Sequence, residues 1–163
     1  MAGKQEKTNA ARMLDRMHIR YECIEYEVDE DDLSGTHVAA VTGLPPEMLF
    51  KTLVAKGDRT GYVVACVPVA EEIDLKALAA VSGNKSAEMI HVKELQGVTG
   101  YIRGGCSPLG MKKQFPTFFD SSVKQLSRVS VSAGRRGTQI ILAPEDLIRA
   151  SGAAVADIIR KKN

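Results

Sequence analysis

The stretch that most constrains the fold lies between residues 50 and 69. Phe50 to Lys56 and Tyr62 to Val69 are two runs rich in β-branched and aromatic residues, joined by Gly57-Asp58-Arg59-Thr60-Gly61. Such side chains favour a pleated, half-buried surface, and a short connection bracketed by glycines turns the chain back on itself. An antiparallel hairpin is therefore expected at the centre of the chain. The flanking segments carry mixed signals. Thr8 is placed to cap a helix through Ala11, Leu14 and Met17, and Tyr21 to Tyr26 reads as a strand. Thr36 opens a short helix that stops at Gly43, and Pro45-Pro46-Glu47 begins a single turn. Asp74 caps a helix bearing Leu75, Leu78 and Val81, ended by Ser82-Gly83.

Beyond it come a short strand at Met89 and Ile90 and a helix over Lys93 to Gln96; Tyr101 to Arg103 then leads into a Gly/Pro loop. Thr117 to Phe119, Arg128 to Ser132 and Thr138 to Leu142 read as strands. Pro144 opens a closing helical region expected to continue through Asp157 to Arg160. Strands and helices alternate, but hairpins dominate the strand pairing. The expectation is a single α/β domain over residues 1–163, with a mixed, mostly antiparallel sheet and peripheral helices.

Composition narrows the function. Apolar residues make up 44% and aromatics 5%, with no Trp, so the core rests on Leu, Ile, Val, Ala and Met. No apolar run reaches the length of a membrane span, and the polar N-terminus lacks a signal-peptide segment. Cys23, Cys66 and Cys106 lie far apart without a CxxC, which argues against a zinc site or a disulfide framework and for a reducing, cytoplasmic setting. No GxGxxG, GxxxxGK[ST] or HExxH is present. Charge is distributed unevenly. Residues 22 to 32 hold seven acids and no base, whereas residues 103 to 136 hold seven bases and one acid. The basic segment reads either as a dispersed solvated surface or as a site for a polyanion.

Three segments could carry chemistry. Lys51 interrupts the apolar run Phe50-Lys51-Thr52-Leu53-Val54-Ala55, either as an exposed edge-strand lysine or as an ammonium held in a cleft for a phosphate or a polarised carbonyl. In Arg103-Gly104-Gly105-Cys106-Ser107-Pro108-Leu109-Gly110, adjacent glycines let backbone amides approach a ligand and form an oxyanion nest; the bland alternative is a tight connection. In Ser130-Val131-Ser132-Ala133-Gly134-Arg135-Arg136-Gly137, Ser132 offers a hydroxyl and Arg135 and Arg136 offer phosphate contacts, unless the segment is only a polar turn. Cys106 lacks a base at any readable spacing from His18, His37 or His91, so it reads as a small apolar loop residue rather than a nucleophile.

Taken together these segments resemble the YbaK/EbsC family, specifically its free-standing Cys-tRNA(Pro) deacylases, which are related to the editing domain inserted in bacterial prolyl-tRNA synthetases. The motifs that carry the resemblance are Phe50-Lys51-Thr52-Leu53, Thr99-Gly100-Tyr101, the run from Gly104 through Lys112-Lys113, and Val131 to Gly137. It covers nearly the whole chain. It implies a barrel-like sheet surrounded by helices and the removal of cysteine misattached to proline tRNA, with Cys-tRNA(Cys) as a further candidate substrate. It also implies that Lys51 is essential and that Tyr26, Thr52, Gly104, Gly105, Ser107, Pro108 and Ser132 surround the aminoacyl end. Backbone amides of Gly105 and Cys106 are expected to hold the oxyanion, and Arg103, Lys112, Lys113, Arg135 and Arg136 to meet tRNA. Position 106 is usually aliphatic in that family, and glycine is common at position 133. The mechanism implied has the substrate's own thiol attack its own carbonyl, so no cofactor or metal is required. The tRNA(Pro) acceptor end and prolyl-tRNA synthetase are the implied partners. Clearance of alanine from tRNA(Pro) by water, and a non-catalytic tRNA- or synthetase-binding module, remain open from the residues alone.

Overall fold

The computed structural model describes residues 7–161. Its elements run α1 (Asn9–Arg16), β1 (Glu22–Glu25), α2 (Gly35–Thr42), β2 (Phe50–Gly57), β3 (Gly61–Pro68), α3 (Leu75–Ser82), β4 (Ala87–Met89), α4 (Val92–Thr99), β5 (Thr117–Asp120), β6 (Val129–Ser132), β7 (Thr138–Leu142), α5 (Pro144–Ser151) and β8 (Ala154–Ala156). Single 3-10 turns lie at Pro46–Met48 and Ser121–Gln125. The central hairpin is present: β2 and β3 pair antiparallel from Phe50↔Pro68 to Gly57↔Gly61. A residue far away in sequence pins its turn. The Asn84 side chain accepts hydrogen bonds from the Arg59 and Thr60 amides at 2.9 and 3.0 Å. Its amide donates to Thr60 and Ser82 hydroxyls.

The strands divide into two sheets, with orders β1-β7-β6 and β4-β2-β3-β5-β8, rather than one, and no closed barrel forms. Pairing is antiparallel except at β3–β5 and β5–β8, which are parallel. A parallel bridge between Leu49 and Ser130 joins the sheets at one point. Phe50, Val54, Val131, Ile140 and Phe119 are among the side chains of the main core between them. A second cluster, including Val63, Val67, Leu78 and Ile158, fills the far side of the five-stranded sheet.

Three local expectations are corrected. The cap of α2 is Ser34, whose hydroxyl accepts from the His37 amide, and not Thr36. The closing helical region does not reach Arg160: Gly152 takes a left-handed conformation that ends α5, and the chain then adds β8 to the sheet. The turn at Ser121–Gln125, capped by Asp120, was not expected from the sequence.

Candidate active site

The site follows from incomplete coverage of β2. Strand β4 pairs with β2 only at Ala55–Gly57, and β6 meets the segment leading into β2 only at the Leu49–Ser130 bridge. The Ile90 amide also donates to the Val54 carbonyl at 3.2 Å; between there and the Leu49 bridge the edge of β2 lies open, and a cavity of about 370 Å³ runs along it. Because the cavity follows an edge, residues of both strand faces reach it, and Lys51 and Thr52 line it side by side. The opposite walls come from the start of α2, from Ile90 to Leu95 around the start of α4, from Gly104 and Cys106, and from Ser132 and Gln139.

Lys51 is half-buried, and its ammonium lies 3.4 Å from the Val69 carbonyl. Burial lowers its pKa from the ordinary lysine value, opposed by the charges of Glu72 and Glu71. That is the cleft reading of Lys51, not the surface one. Thr52 turns its hydroxyl toward the buried Cys66 thiol, at 3.8 Å. Burial pushes the Cys106 thiol up to about 12, so it is neutral across the physiological range. A neutral, buried thiol is a poor nucleophile.

The two glycine-containing loops are held together. A Cβ on Gly105 would lie 3.0 Å from backbone atoms of Arg135, so only glycine allows the loops this close. Arg136 Nε donates to the Arg103 carbonyl at 2.8 Å. The Tyr101 hydroxyl donates to the Leu109 carbonyl at 2.6 Å, and its ring covers Gly134. Ser107 is fully buried; its hydroxyl accepts from the Leu109 amide and shapes the turn.

The expected site residues therefore separate. Lys51, Thr52, Arg103, Gly104, Cys106 and Ser132 line one cavity. Ser107 and Pro108 are buried beside it as supports of the loop and do not line it. Tyr26 lies in an adjoining recess with Arg136, Asp32 and His37, which shares Leu33, Val38 and Gly104 with the main cavity. The Gly105 amide, expected to face a ligand, donates instead to the Ile102 carbonyl at 2.9 Å within the loop. Lys112 and Lys113 are exposed just past the loop. Arg135 Nε donates to the Thr138 hydroxyl at 3.2 Å. Arg128, one of the seven bases, is paired with Glu22 at 3.0 Å.

Sequence reading missed Gln139. Strand alternation points Val129, Val131, Ile140 and Leu142 into the main core, and Ser130, Ser132 and Gln139 to the other face, toward the cavity. The run Ser130-Val131-Ser132 signalled one half of this polar face. Nothing local to Gln139 signalled the other.

Residues 34–150 match the model of the aminoacyl-tRNA editing domain. An Enterococcus faecalis protein named "Putative Cys-tRNA(Pro)/Cys-tRNA(Cys) deacylase EbsC" is 49% identical over 158 residues, covering 97% of this chain and 96% of that protein. Among solved structures, "a putative trans-editing enzyme for prolyl tRNA synthetase" superposes with a TM-score of 0.79 at 21% identity, covering 96% of this chain and all of the other. A hypothetical protein superposes with a TM-score of 0.84 at 18% identity, covering 94% of this chain. The cavity beside Lys51, the coupled loops and the extent of these matches lead to one statement: this chain belongs to the aminoacyl-tRNA editing family.

Proposed function

We propose that the chain acts as one domain that removes cysteine in trans from mischarged Cys-tRNA(Pro), in the cytoplasm and beside prolyl-tRNA synthetase. The observation that carries this reading is the content of the cavity. Around Lys51 it sets the Arg103 guanidinium, the His91 imidazole, several hydroxyls and the Gln139 amide, and its thiol, Cys106, is neutral and buried. Such a lining suits orientation and charge stabilisation, with the attacking group brought by the substrate. An aminoacyl ester is already activated, and a cysteinyl ester brings its own thiol. The sulfur attacks the ester carbonyl, the new C–S bond closes a cyclic thiolactone, and the C–O bond to the terminal ribose breaks. The thiol proton passes to solvent as the thiolate forms, and the departing ribose oxygen takes a proton from water. The attack is already intramolecular, so the protein's share is to hold the folded-back rotamer and the oxyanion, one oxyanion donor being worth about 3 kcal/mol.

Roles follow from position. Lys51 holds the phosphate or sugar of the terminal nucleotide. The Cys106 amide faces the developing oxyanion. Thr52, Gly104 and Ser132 position the aminoacyl end, with Tyr26 closing the side recess. Ser107 and Pro108 keep the loop in shape, and the Gly105 position keeps the two loops close. Arg103, Lys112, Lys113, Arg135 and Arg136 meet the tRNA backbone. The test is to follow deacylation of Cys-tRNA(Pro) and Ser-tRNA(Pro) side by side. Cysteine should leave at least about 100-fold faster, the scale on which one missing catalytic group tells. Equal rates would sink the thiol-assisted route, because a hydroxyl is the far poorer nucleophile.

A further inference from the structure

The buried polar face of the three-stranded sheet contains a group that the roles above leave unused. Gln139 is only 6% exposed, yet it lines the cavity. Burying a carboxamide is costly unless both ends find partners. One end has one: the Ser130 hydroxyl donates to Gln139 Oε1 at 2.9 Å, and Ser130 is itself fully buried. That bond fixes the orientation of the amide, because a carbonyl oxygen held by Ser130 turns Nε2 the other way. Among the described residues Ser122 Oγ is the one side-chain atom sealed from the surface without a partner. Gln139 Nε2, which donates to nothing among the described residues, is therefore open to the cavity rather than sealed in the core.

Its neighbours sharpen its role. Ser132 is the register partner of Gln139 across β6 and β7 and lines the same cavity. The Ser132 hydroxyl accepts from the Gly134 amide, which leaves its O–H to donate. Two N–H bonds and one O–H therefore converge from adjacent strands onto one wall, abreast of the open β2 edge that carries Lys51. All are donors, so they suit an oxygen that gains negative charge and would be a poor seat for an ammonium. With the Gly105 amide tied to Ile102, the loop alone is short of one donor.

We propose that Gln139, oriented by Ser130, donates its amide N–H to the ester carbonyl oxygen of the bound aminoacyl end and stabilises the oxyanion as it forms. This rests on the editing function proposed above. Gln139 is then a catalytic donor, and Ser130 a positioning residue acting through it.

The test uses the full chain with Gln139→Glu, Gln139→Leu and Ser130→Ala, each checked for Tm. Gln139→Glu keeps the size of the side chain and its acceptor for Ser130 but removes the donor. Its kcat on Cys-tRNA(Pro) should fall about 100-fold with KM within about threefold, the signature of a group that acts in the transition state. A protonated glutamic acid donates again, so activity relative to the unmodified chain should recover as pH falls from 8 to 5. A purely structural role would not produce that recovery. Ser130→Ala should lower kcat about tenfold, and adding it to Gln139→Leu should cost nothing more. An unchanged kcat for Gln139→Glu, or a loss that stays constant relative to the unmodified chain from pH 8 to 5, overturns the assignment. Should the unmodified chain leave Cys-tRNA(Pro) intact, the editing reading itself fails. Gln139 is then judged by binding of 3′-deoxy-3′-(cysteinylamino)adenosine, whose amide carbonyl mimics the ester. About tenfold weaker binding by Gln139→Leu keeps Gln139 in the subsite, and equal binding removes it.

Discussion

Lys51 stands where stability and function pull apart. Its ammonium is half-buried, and desolvation lowers its pKa in the folded chain below the unfolded value. A cation with a lowered folded pKa destabilises the fold throughout the range in which it is charged, and the penalty is relieved only as pH rises through the folded pKa toward 10.5. On the acid side of the folded pKa the penalty is fully present. Lys51→Met should therefore abolish deacylation, by at least about 100-fold in kcat, while Tm holds or rises. Thermal melts and single-turnover assays on one preparation check both, and a joint loss would place Lys51 among structural residues. Cys106 calls for a different experiment. Its thiol titrates at about 12, out of reach of any change near neutrality. A free substrate cysteine titrates near 8.5, roughly. The thiolate is the attacking form, so the rate should rise with pH through about 8 and then level. The same profile should persist in Cys106→Ile. A pH dependence that vanishes in that variant would return the nucleophile to the protein.

At the scale of elements, the sequence was informative where a local signal decides the structure. Thr8, Asp74, Gly43 and Gly83 begin or end helices by their own chemistry, and the hairpin of β2 and β3 was readable from its side chains. The failures lie where a residue's hydrogen-bond partner is set by the folded loop or by a neighbouring strand. The end of α5 had a signal in Ser151-Gly152, but the strand that follows exists only because β5 offers it a parallel edge. The Gly105 amide looked available because its partner, Ile102, belongs to the same irregular loop. Gln139 looked like an ordinary strand residue because its partner Ser130 comes from the adjacent β6. Gly105 of the Gly-Gly pair permits close approach of two loops. Gly105→Ala would put a methyl group 3.0 Å from the Arg135 backbone. Relieving such overlap costs roughly 1–3 kcal/mol in a packed environment. The expected outcome is a Tm lower by several degrees and a matching loss of activity, measured by melting and deacylation. An unchanged Tm would show that the loops part easily.

For the molecule as a whole, the uneven charge seen in the sequence becomes partly paired in space. Arg128 meets Glu22, and Arg160 meets Glu72, in exposed contacts worth little to stability. Near the cavity stand Arg103 on its wall, Arg136 in the adjoining recess, and Lys112 and Lys113 exposed just beyond the loop. A polyanion seated there displaces condensed cations, so its affinity falls with salt by roughly 0.7–0.9 log units per log unit of salt for each phosphate met. Converting both lysines with Lys112→Glu and Lys113→Glu should raise KM for Cys-tRNA(Pro) more than about tenfold. It should also flatten the salt dependence by roughly 1.4–1.8 in slope. Neither side chain lines the cavity, so kcat at saturating tRNA should hold within about twofold and Tm should not move. Titrating KM against potassium chloride for both proteins checks this. A drop in kcat at constant KM would place these lysines in the chemistry. An unchanged KM and slope would move the tRNA backbone to another face, or to a surface contributed by the synthetase.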